Sequence, residues 1–235
     1  MKFTEKIQKL LHRTAPGHEY YCGEYHGGEA KYEYIPTPEG DRIADGDFEY
    51  TEYYGGGLYG KAVGRFAQGR KEGTWRFHRK GSSSDRDLVV EFVGGHISGD
   101  LEFTSKEVSL ERFWNNELHV TIVKDKICGK FYGVFNGQSF EGNCDDDGFP
   151  DGQWTLTEND GEETGNLHKE TWEHGKIVAS VKENAKRKTT KKVNPRVREH
   201  VNYLIDNDVL QLLAILKKGA KTPTLHIQRK KDAEV

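Results

Sequence analysis

The sequence has few of the residues that usually build a compact interior or cross-link it. Only 34% of its 235 residues are hydrophobic, and the mean hydropathy is −0.84. The three cysteines Cys22, Cys128 and Cys144 form no short-spaced pair of the zinc or redox type. No stretch approaches the roughly 20 apolar residues that cross a bilayer, and the first residues hold no apolar signal-peptide core. We therefore expect a cytoplasmic protein with reduced thiols.

The sequence also lacks the motifs of common catalytic and cofactor sites. It contains no phosphate-binding loop, dinucleotide-binding glycine fingerprint, metalloprotease helix or nucleophile elbow. We expect no enzymatic activity, no cofactor and no bound metal. Aromatic residues are abundant, with 4 Trp, 11 Tyr and 11 Phe, and 27 glycines accompany them. Because disordered chains are poor in aromatics, this composition favours a thin, glycine-punctuated β protein.

One phrase of the sequence recurs. Residues 66–77 read FAQGRKEGTWRF, with an aromatic residue before the first glycine and a Trp after the second. In a looser copy Asp125 replaces the first glycine. The second glycine, here called the anchor, recurs at intervals of 27, 26, 30 and 23 residues, at Gly46, Gly73, Gly99, Gly129 and Gly152. This spacing predicts a structural repeat.

Apolar and polar residues alternate on both sides of each glycine pair, as in TWRFH and DLVVEFV. This is the pattern of half-buried strands, and paired glycines predict that a tight turn lies between them. The predicted fold class is mainly β, an open antiparallel meander of stacked β-hairpins with a small C-terminal helical piece. We expect the core to contain the equivalent aromatics Trp75, Phe77, Phe92, Phe103, Phe131, Trp154 and Trp172.

The order of aromatic, glycine, three residues, glycine, one residue and aromatic resembles the MORN repeat, in the widely spaced variant of bacterial proteins. The similarity covers about Gly40 to Val181 and is best at Phe66, Gly69, Gly73 and Trp75. The resemblance implies an open sheet of hairpins that is generally non-catalytic. It also implies a role in protein scaffolding or membrane-lipid association, and some bacterial members carry an antitoxin label.

Composition and pattern divide the chain into four parts. From Lys182 onward lie 14 of the 35 Lys and Arg residues but only 6 of the 38 Asp and Glu residues. In the last part Asn194 is the expected helix cap, with Pro195 at the first helical position, and a second helix restarts at Asn207 or Asp208. The predicted parts are an N-terminal helical cap at 1–18, a MORN-like repeat domain at 19–181, a basic linker at 182–194, and a C-terminal helix pair and tail at 195–235.

Two surfaces are candidates for partner binding. Tyr53, Tyr54 and Tyr59 flank a triple glycine, and their hydroxyls suit a wet protein interface. The basic linker suits an anionic membrane surface. Nucleic acid is not expected there, because no aromatic residues interleave with the bases. The basic residues concerned are Lys186, Arg187, Lys188, Lys191 and Lys192.

The predicted function is a non-catalytic scaffold that binds a protein through the sheet face. The alternatives are anionic-lipid binding through the linker, or a hydrolase-type enzyme with Asp145, Asp147 or His168 between sheet and helices.

The segment from Asn143 to Asp151 resembles the start of a calcium loop, but Trp154 stands where the last ligand belongs. We therefore interpret the segment as an acidic turn. In the segment 168–174, His168, Glu170 and His174 could form a metal or acid–base site, and we expect solvated side chains instead.

Overall fold

The computed structural model of the protein describes residues 14–108, 113–135, 137–158, 166–184, 189–216 and 225. Within these ranges 14 strands form one antiparallel sheet, in which each strand pairs with the next along the chain. A short helical segment follows the last strand. The predicted open meander of hairpins with a small C-terminal helical piece is confirmed.

The strands and their bounds are β1 (Glu19–Tyr25), β2 (Gly28–Pro36), β3 (Arg42–Gly55), β4 (Leu58–Ala67), β5 (Arg70–Lys80), β6 (Ser84–Val93), β7 (His96–Val108), β8 (Phe113–Val123), β9 (Lys126–Phe135), β10 (Gln138–Cys144), β11 (Pro150–Glu158), β12 (Asn166–Glu173), β13 (Lys176–Asn184) and β14 (Thr189–Lys192).

Alternation along the strands gives the sheet two different faces. In β5, Trp75 and Phe77 are buried, whereas the alternate residues Thr74 and Arg76 are exposed. Because cross-strand partners point to the same face, the apolar residues of all strands gather on one side. We call this side the inner face and the opposite side the outer face. All seven aromatics that were predicted to be core are buried on the inner face.

The two glycines of the phrase lie in different kinds of structure, one in a turn and the other inside a strand. Gly69 lies in the β4–β5 turn with φ of 79°, but Gly73 lies inside β5 with φ of 66°. The prediction that the turn lies between both glycines is therefore wrong. At Gly73 three residues of β5 stand opposite Gly64 alone, and such a bulge requires a left-handed backbone that favours glycine. The anchors at Gly46, Gly99, Gly129 and Gly152 also have positive φ inside strands.

A missing side chain on β4 makes room for the largest core residue. A Cβ at Gly64 would overlap the indole ring of Trp75. That indole N–H donates to the carbonyl oxygen of Arg65 at 3.1 Å. The arrangement recurs where Trp154 covers Gly142, with its indole N–H donating to the Asn143 carbonyl oxygen at 2.9 Å.

Hydrogen bonds tie successive hairpins together at the end of the sheet that holds the β4–β5 turn, which we call the anchor end. A turn residue of one hairpin donates its backbone N–H to a strand carbonyl oxygen in the preceding hairpin. The pairs, at 2.7, 3.0, 2.9 and 2.9 Å, are Gly69 to Ala44, Gly95 to Lys71, Asp125 to Ile97 and Gly175 to Pro150. The four acceptors therefore occupy equivalent positions of the repeat.

The helical segment runs across the inner face as the second layer of the core. It comprises α1 (Val197–Leu204), a π-helical turn (Ile205–Val209), α2 (Leu210–Leu213) and a 3-10 turn (Ala214–Leu216) without a break. Its contacts extend from β11 under α1 to β4, β5 and β6 under the later turns. Its buried apolar side chains belong to the same core cluster as those of the sheet, and include Val201, Leu204, Ile205, Val209 and Leu212.

Both helix predictions need correction. α1 begins at Val197, and Arg196 at its N-cap position makes no side-chain capping bond, so Asn194 and Pro195 precede the helix. The predicted restart at Asn207 or Asp208 is absent from the described segment, because Asp208 turns its carboxylate inward instead of capping. The pair of helices is one continuous segment with a π-helical turn.

Strands continue into the region predicted as a basic linker. Lys182 belongs to β13, and β14 occupies 189–192. The predicted N-terminal helical cap lies mostly outside the described residues, and residues 14–18 form a turn and irregular backbone. None of the helices in the described ranges has the length and apolarity to cross a bilayer.

Candidate functional site

Two of the three predicted tyrosines share the outer face. Tyr53 in β3 stands directly opposite Tyr59 in β4. Tyr53 is 68% exposed, the largest exposure among the exposed large hydrophobic side chains of the described residues. Tyr59 is half-buried. The two tyrosines therefore form a cross-strand pair with one exposed ring, near the end of the sheet opposite the anchor end.

Tyr54 lies on the other face, because adjacent residues of a strand point to opposite sides. Its hydroxyl donates to the Glu52 carboxylate. The Arg79 guanidinium lies 5.2 Å from its ring centre. Burial, followed by the hydrogen bond to Glu52, raises the pKa of Tyr54. The structure therefore separates Tyr54 from Tyr53 and Tyr59.

A histidine that sequence reasoning missed joins the outer tyrosines. The His78 ring of β5 lies 5.3 Å from the Tyr59 ring, centre to centre. His78 Nδ1 lies 2.9 Å from Asp87, and Nε2 lies 3.5 Å from Asp85. Strand register brings these groups together, since His78 stands opposite Asp87. We call the set Tyr53, Tyr59, His78, Asp85 and Asp87 the tyrosine patch.

The patch contains the one trio of potential metal ligands found among the described residues. His78, Asp85 and Asp87 each offer a ligand atom, and these atoms lie within 4.8 Å of one another. Each imidazole nitrogen already faces a different carboxylate. These contacts, which follow from strand register, explain the proximity of the three side chains without a metal ion.

The structure describes two of the five predicted basic residues, Lys191 and Lys192, both in β14. Lys191 stands opposite Lys182, and Lys192 stands opposite Val181. As neighbours on β14, Lys191 and Lys192 point to opposite faces of the sheet. Lysines on a short edge strand also discourage pairing with another chain. Lys186, Arg187 and Lys188 lie outside the described residues.

The acidic segment between β10 and β11 is a hydrogen-bonded turn. Asp145 Oδ1 accepts the backbone N–H groups of Asp147 at 3.0 Å and Phe149 at 2.9 Å. Its other carboxylate oxygen contacts His174. Asp151 accepts the backbone N–H of His174 at 2.9 Å. The carboxylates thus shape this turn and join it to the β12–β13 turn, and strands rather than helices flank it.

The polar face of β12, predicted to be solvated, is buried under α1. His168 is 1% exposed and Glu170 is 0% exposed. The side chains face inward together with Trp172, whose indole N–H donates to Glu170 Oε2 at 3.1 Å. The prediction fails because the helical segment covers this part of the sheet. His174 lies in the turn with φ of 45° and does not share the face.

Ser180, His168 and Glu170 lie close together without the geometry of a nucleophilic triad. Ser180 Oγ and Glu170 Oε1 both lie 3.0 Å from the same imidazole nitrogen, Nε2 of His168. A triad needs the nucleophile on one imidazole nitrogen and the orienting carboxylate on the other. Glu170 Oε1 instead accepts the backbone N–H of Arg196 and, at 3.1 Å, that of Val197. Its role is to cap α1.

The three residues of the enzyme alternative lie in different surroundings. Asp145 and Asp147 belong to the β10–β11 turn at the anchor end. His168 stands opposite Leu156, six residues along β11 from its first residue, Pro150. It is buried beside Ser180 and Glu170. The structure does not bring the three side chains into one site.

A second buried polar group, also missed from the sequence, lies under the π-helical turn. Asp208 is 3% exposed, and its Oδ1 lies 3.3 Å from Nη1 of Arg86 in β6. Nη2 of the same guanidinium lies 2.8 Å from Glu107 in β7. Burial, partly offset by Arg86, raises the pKa of Asp208 to about 6. The group joins the helical segment to the sheet.

A shallow groove on the outer face, across β9, β10 and β11, has a volume of about 600 Å³. Its lining includes Lys130, Tyr132, Glu141 and Gln153. Tyr132 lies 6.0 Å from the His119 ring, centre to centre. The groove therefore carries a Tyr–His pair similar to that of the tyrosine patch.

No model of a known protein family matches the chain, and no curated protein sequence matches it.

Proposed function

We propose that this protein is a non-catalytic, MORN-like repeat scaffold of the cytoplasm that binds a protein partner through the tyrosine patch. The observation that carries the proposal is the cross-strand pair Tyr53–Tyr59 on the outer face, in which Tyr53 is exposed and Tyr59 half-buried. Tyrosine is enriched among the residues that dominate protein interfaces, because it offers large area and a hydroxyl at little entropic cost.

The two layers of the fold support the same role. The helical segment packs on the inner face, so that face is occupied by the protein's own core. The outer face carries alternating charged and polar side chains with the aromatic pair among them. Charges of both signs surround the two rings, since Asp85 and Asp87 lie beside His78 and Lys80 stands opposite Tyr59. This composition favours a partner surface with an apolar centre and a rim that carries both acidic and basic residues.

The test compares the patch with the similar Tyr–His pair of the groove. The tagged protein, a Tyr53→Ser/Tyr59→Ser variant and a Tyr132→Ser control are used to isolate partners from source cells. The partner is then identified by mass spectrometry and purified for titration. Removal of two central interface tyrosines should weaken binding by at least about tenfold, and Tyr132→Ser should leave it unchanged.

Two outcomes of this titration would contradict the proposal. One is equal affinity of the double variant and the unsubstituted protein. The other is loss of binding in Tyr132→Ser alone, which would place the partner in the groove. Circular dichroism of all three proteins checks that the sheet remains folded.

A further inference from the structure

Lys71 occupies a position that the repeat gives to apolar residues. Its carbonyl oxygen accepts the N–H of the next turn, as do those of Ala44, Ile97 and Pro150. Ile97, the equivalent residue one hairpin later, is 0% exposed within the core. A lysine in this position therefore carries an amine into the region of the core aromatics.

The Lys71 amine is surrounded by aromatic rings. Its Nζ lies 4.9 Å from the ring centre of Trp75, 5.3 Å from that of Phe77 and 4.9 Å from that of Phe92. Phe66 stands directly opposite Lys71 on β4. The rings nearest to the amine thus contribute hydrocarbon and no charge.

No carboxylate among the described residues pairs with this amine. Its sequence neighbour Glu72 points to the other face and accepts the backbone N–H of Gly94 at 2.7 Å. Arg70, on the other side, shares the face of Glu72. Lys71 is still partly exposed.

Two physical effects act on the protonation of Lys71. The rings attract the ammonium form, whereas loss of hydration disfavours it. Burial lowers the pKa to about 8. At pH 7.5 roughly a quarter of such amines are neutral, against about 0.1% for an ordinary lysine. The neutral amine is the nucleophilic form.

We propose that Lys71 is a reactive amine and a site of covalent acylation by small acyl thioesters. The nitrogen lone pair attacks the thioester carbonyl carbon, the C–N bond forms, and the C–S bond breaks. The thiolate leaves and takes the proton that the nitrogen loses, so the products are an amide and a thiol. Acylation removes the positive charge from the aromatic surroundings. The inference goes beyond partner binding and is independent of the tyrosine patch.

The experiment labels the intact folded protein with S-acetyl-N-acetylcysteamine between pH 6.5 and 9. Peptide mass spectrometry measures the acetylation rate of each lysine. The surface lysines Lys61 and Lys126, with side chains 39% and 46% exposed, serve as internal references. Lys71 should react about tenfold faster than either at pH 7.5, since its larger neutral fraction outweighs its lower basicity and access.

Labelling in 8 M urea separates the effect of the fold from that of local sequence. Lys71 should then react at the rate of Lys61 and Lys126. A Lys71→Arg variant should lose the fast-labelled peptide while the other rates stay constant. A Lys71 rate at or below that of Lys61 in the folded protein would overturn the proposal. An advantage that persists unchanged in urea would overturn it too.

Discussion

At the scale of single residues, two tryptophans depend on glycines that leave them space. Replacing Gly64 with Ala places a methyl group inside the Trp75 ring, in a backbone region open to any residue. Overpacking of a core costs about 1–3 kcal/mol. We therefore expect Gly64→Ala to lower the free energy of unfolding by about 2 kcal/mol, measured by urea denaturation.

Gly133→Ala provides the matched control for this prediction. Gly133 also lies within a strand, and the atoms nearest to an added Cβ are at 3.3, 3.4 and 3.5 Å, so small shifts can accommodate it. Its effect should be well below that of Gly64→Ala. Equal loss in the two variants would mean that strand propensity, not contact with Trp75, sets the cost.

Also at the residue scale, Asp208 should make the free energy of unfolding depend on pH. Its folded pKa of about 6 exceeds the usual unfolded value of about 3.9. The folded state therefore binds more protons in this window, and the free energy of unfolding falls as pH rises from about 4 to 6. Two pKa units correspond to about 3 kcal/mol as an upper bound. Asp208→Asn should remove this slope and raise stability at pH 7.5 by about 1–2 kcal/mol.

Urea denaturation of the Asp208→Asn variant and the unsubstituted protein at pH 4, 5, 6 and 7.5 tests the pH dependence. The account requires the two curves to diverge with rising pH. Destabilisation of Asp208→Asn at pH 7.5 would show that attraction to Arg86 outweighs the loss of hydration, contrary to the account.

At the scale of elements, the start of α1 depends on a strand. Glu170 supplies the capping carboxylate from β12, where the segment before the helix supplies none. In Glu170→Gln one oxygen becomes an N–H₂ donor, which faces other donors. An unmade buried bond costs about 1–3 kcal/mol. We expect a loss of about 2 kcal/mol and a weaker circular dichroism signal at 222 nm.

Glu173→Gln is the control for Glu170→Gln, because Glu173 lies on the same strand with its side chain exposed. It should leave both the unfolding free energy and the helical signal unchanged. If the two variants behave alike, α1 does not need the carboxylate of Glu170.

The same elements show what the sequence could and could not predict. Strands and core aromatics were predictable because alternation acts over a few residues, whereas the exact place of the turn was not, since the second glycine lies in a bulge inside a strand. The sequence could also have assigned Tyr54 and Tyr53 to opposite faces, because adjacent residues of a strand alternate between faces. The helix start could not be predicted, since Glu170 lies 26 residues before Arg196. Nor could His78 be assigned to the patch, because only the pairing of β4 with β5 brings it to Tyr59.

At the scale of the whole molecule, one layer of helix covers the face on which a 14-stranded sheet builds its core. A protein ending at residue 194 would expose the inner face under α1 and the later turns. We expect broader unfolding in urea and binding of a hydrophobic dye, both relative to the full chain. A truncated protein that unfolds as sharply as the full chain and binds no dye would speak against this covering role.

The sheet buries its inner face and leaves its outer face exposed to solvent. Hydroxyl-radical footprinting of the free, full-length protein tests it most directly, by measuring oxidation of each side chain with mass spectrometry. The account predicts rapid oxidation of Tyr53, and protection of Trp75, Trp154 and Trp172 until the protein unfolds. Oxidation of these tryptophans as fast as Tyr53 in the folded protein would contradict it.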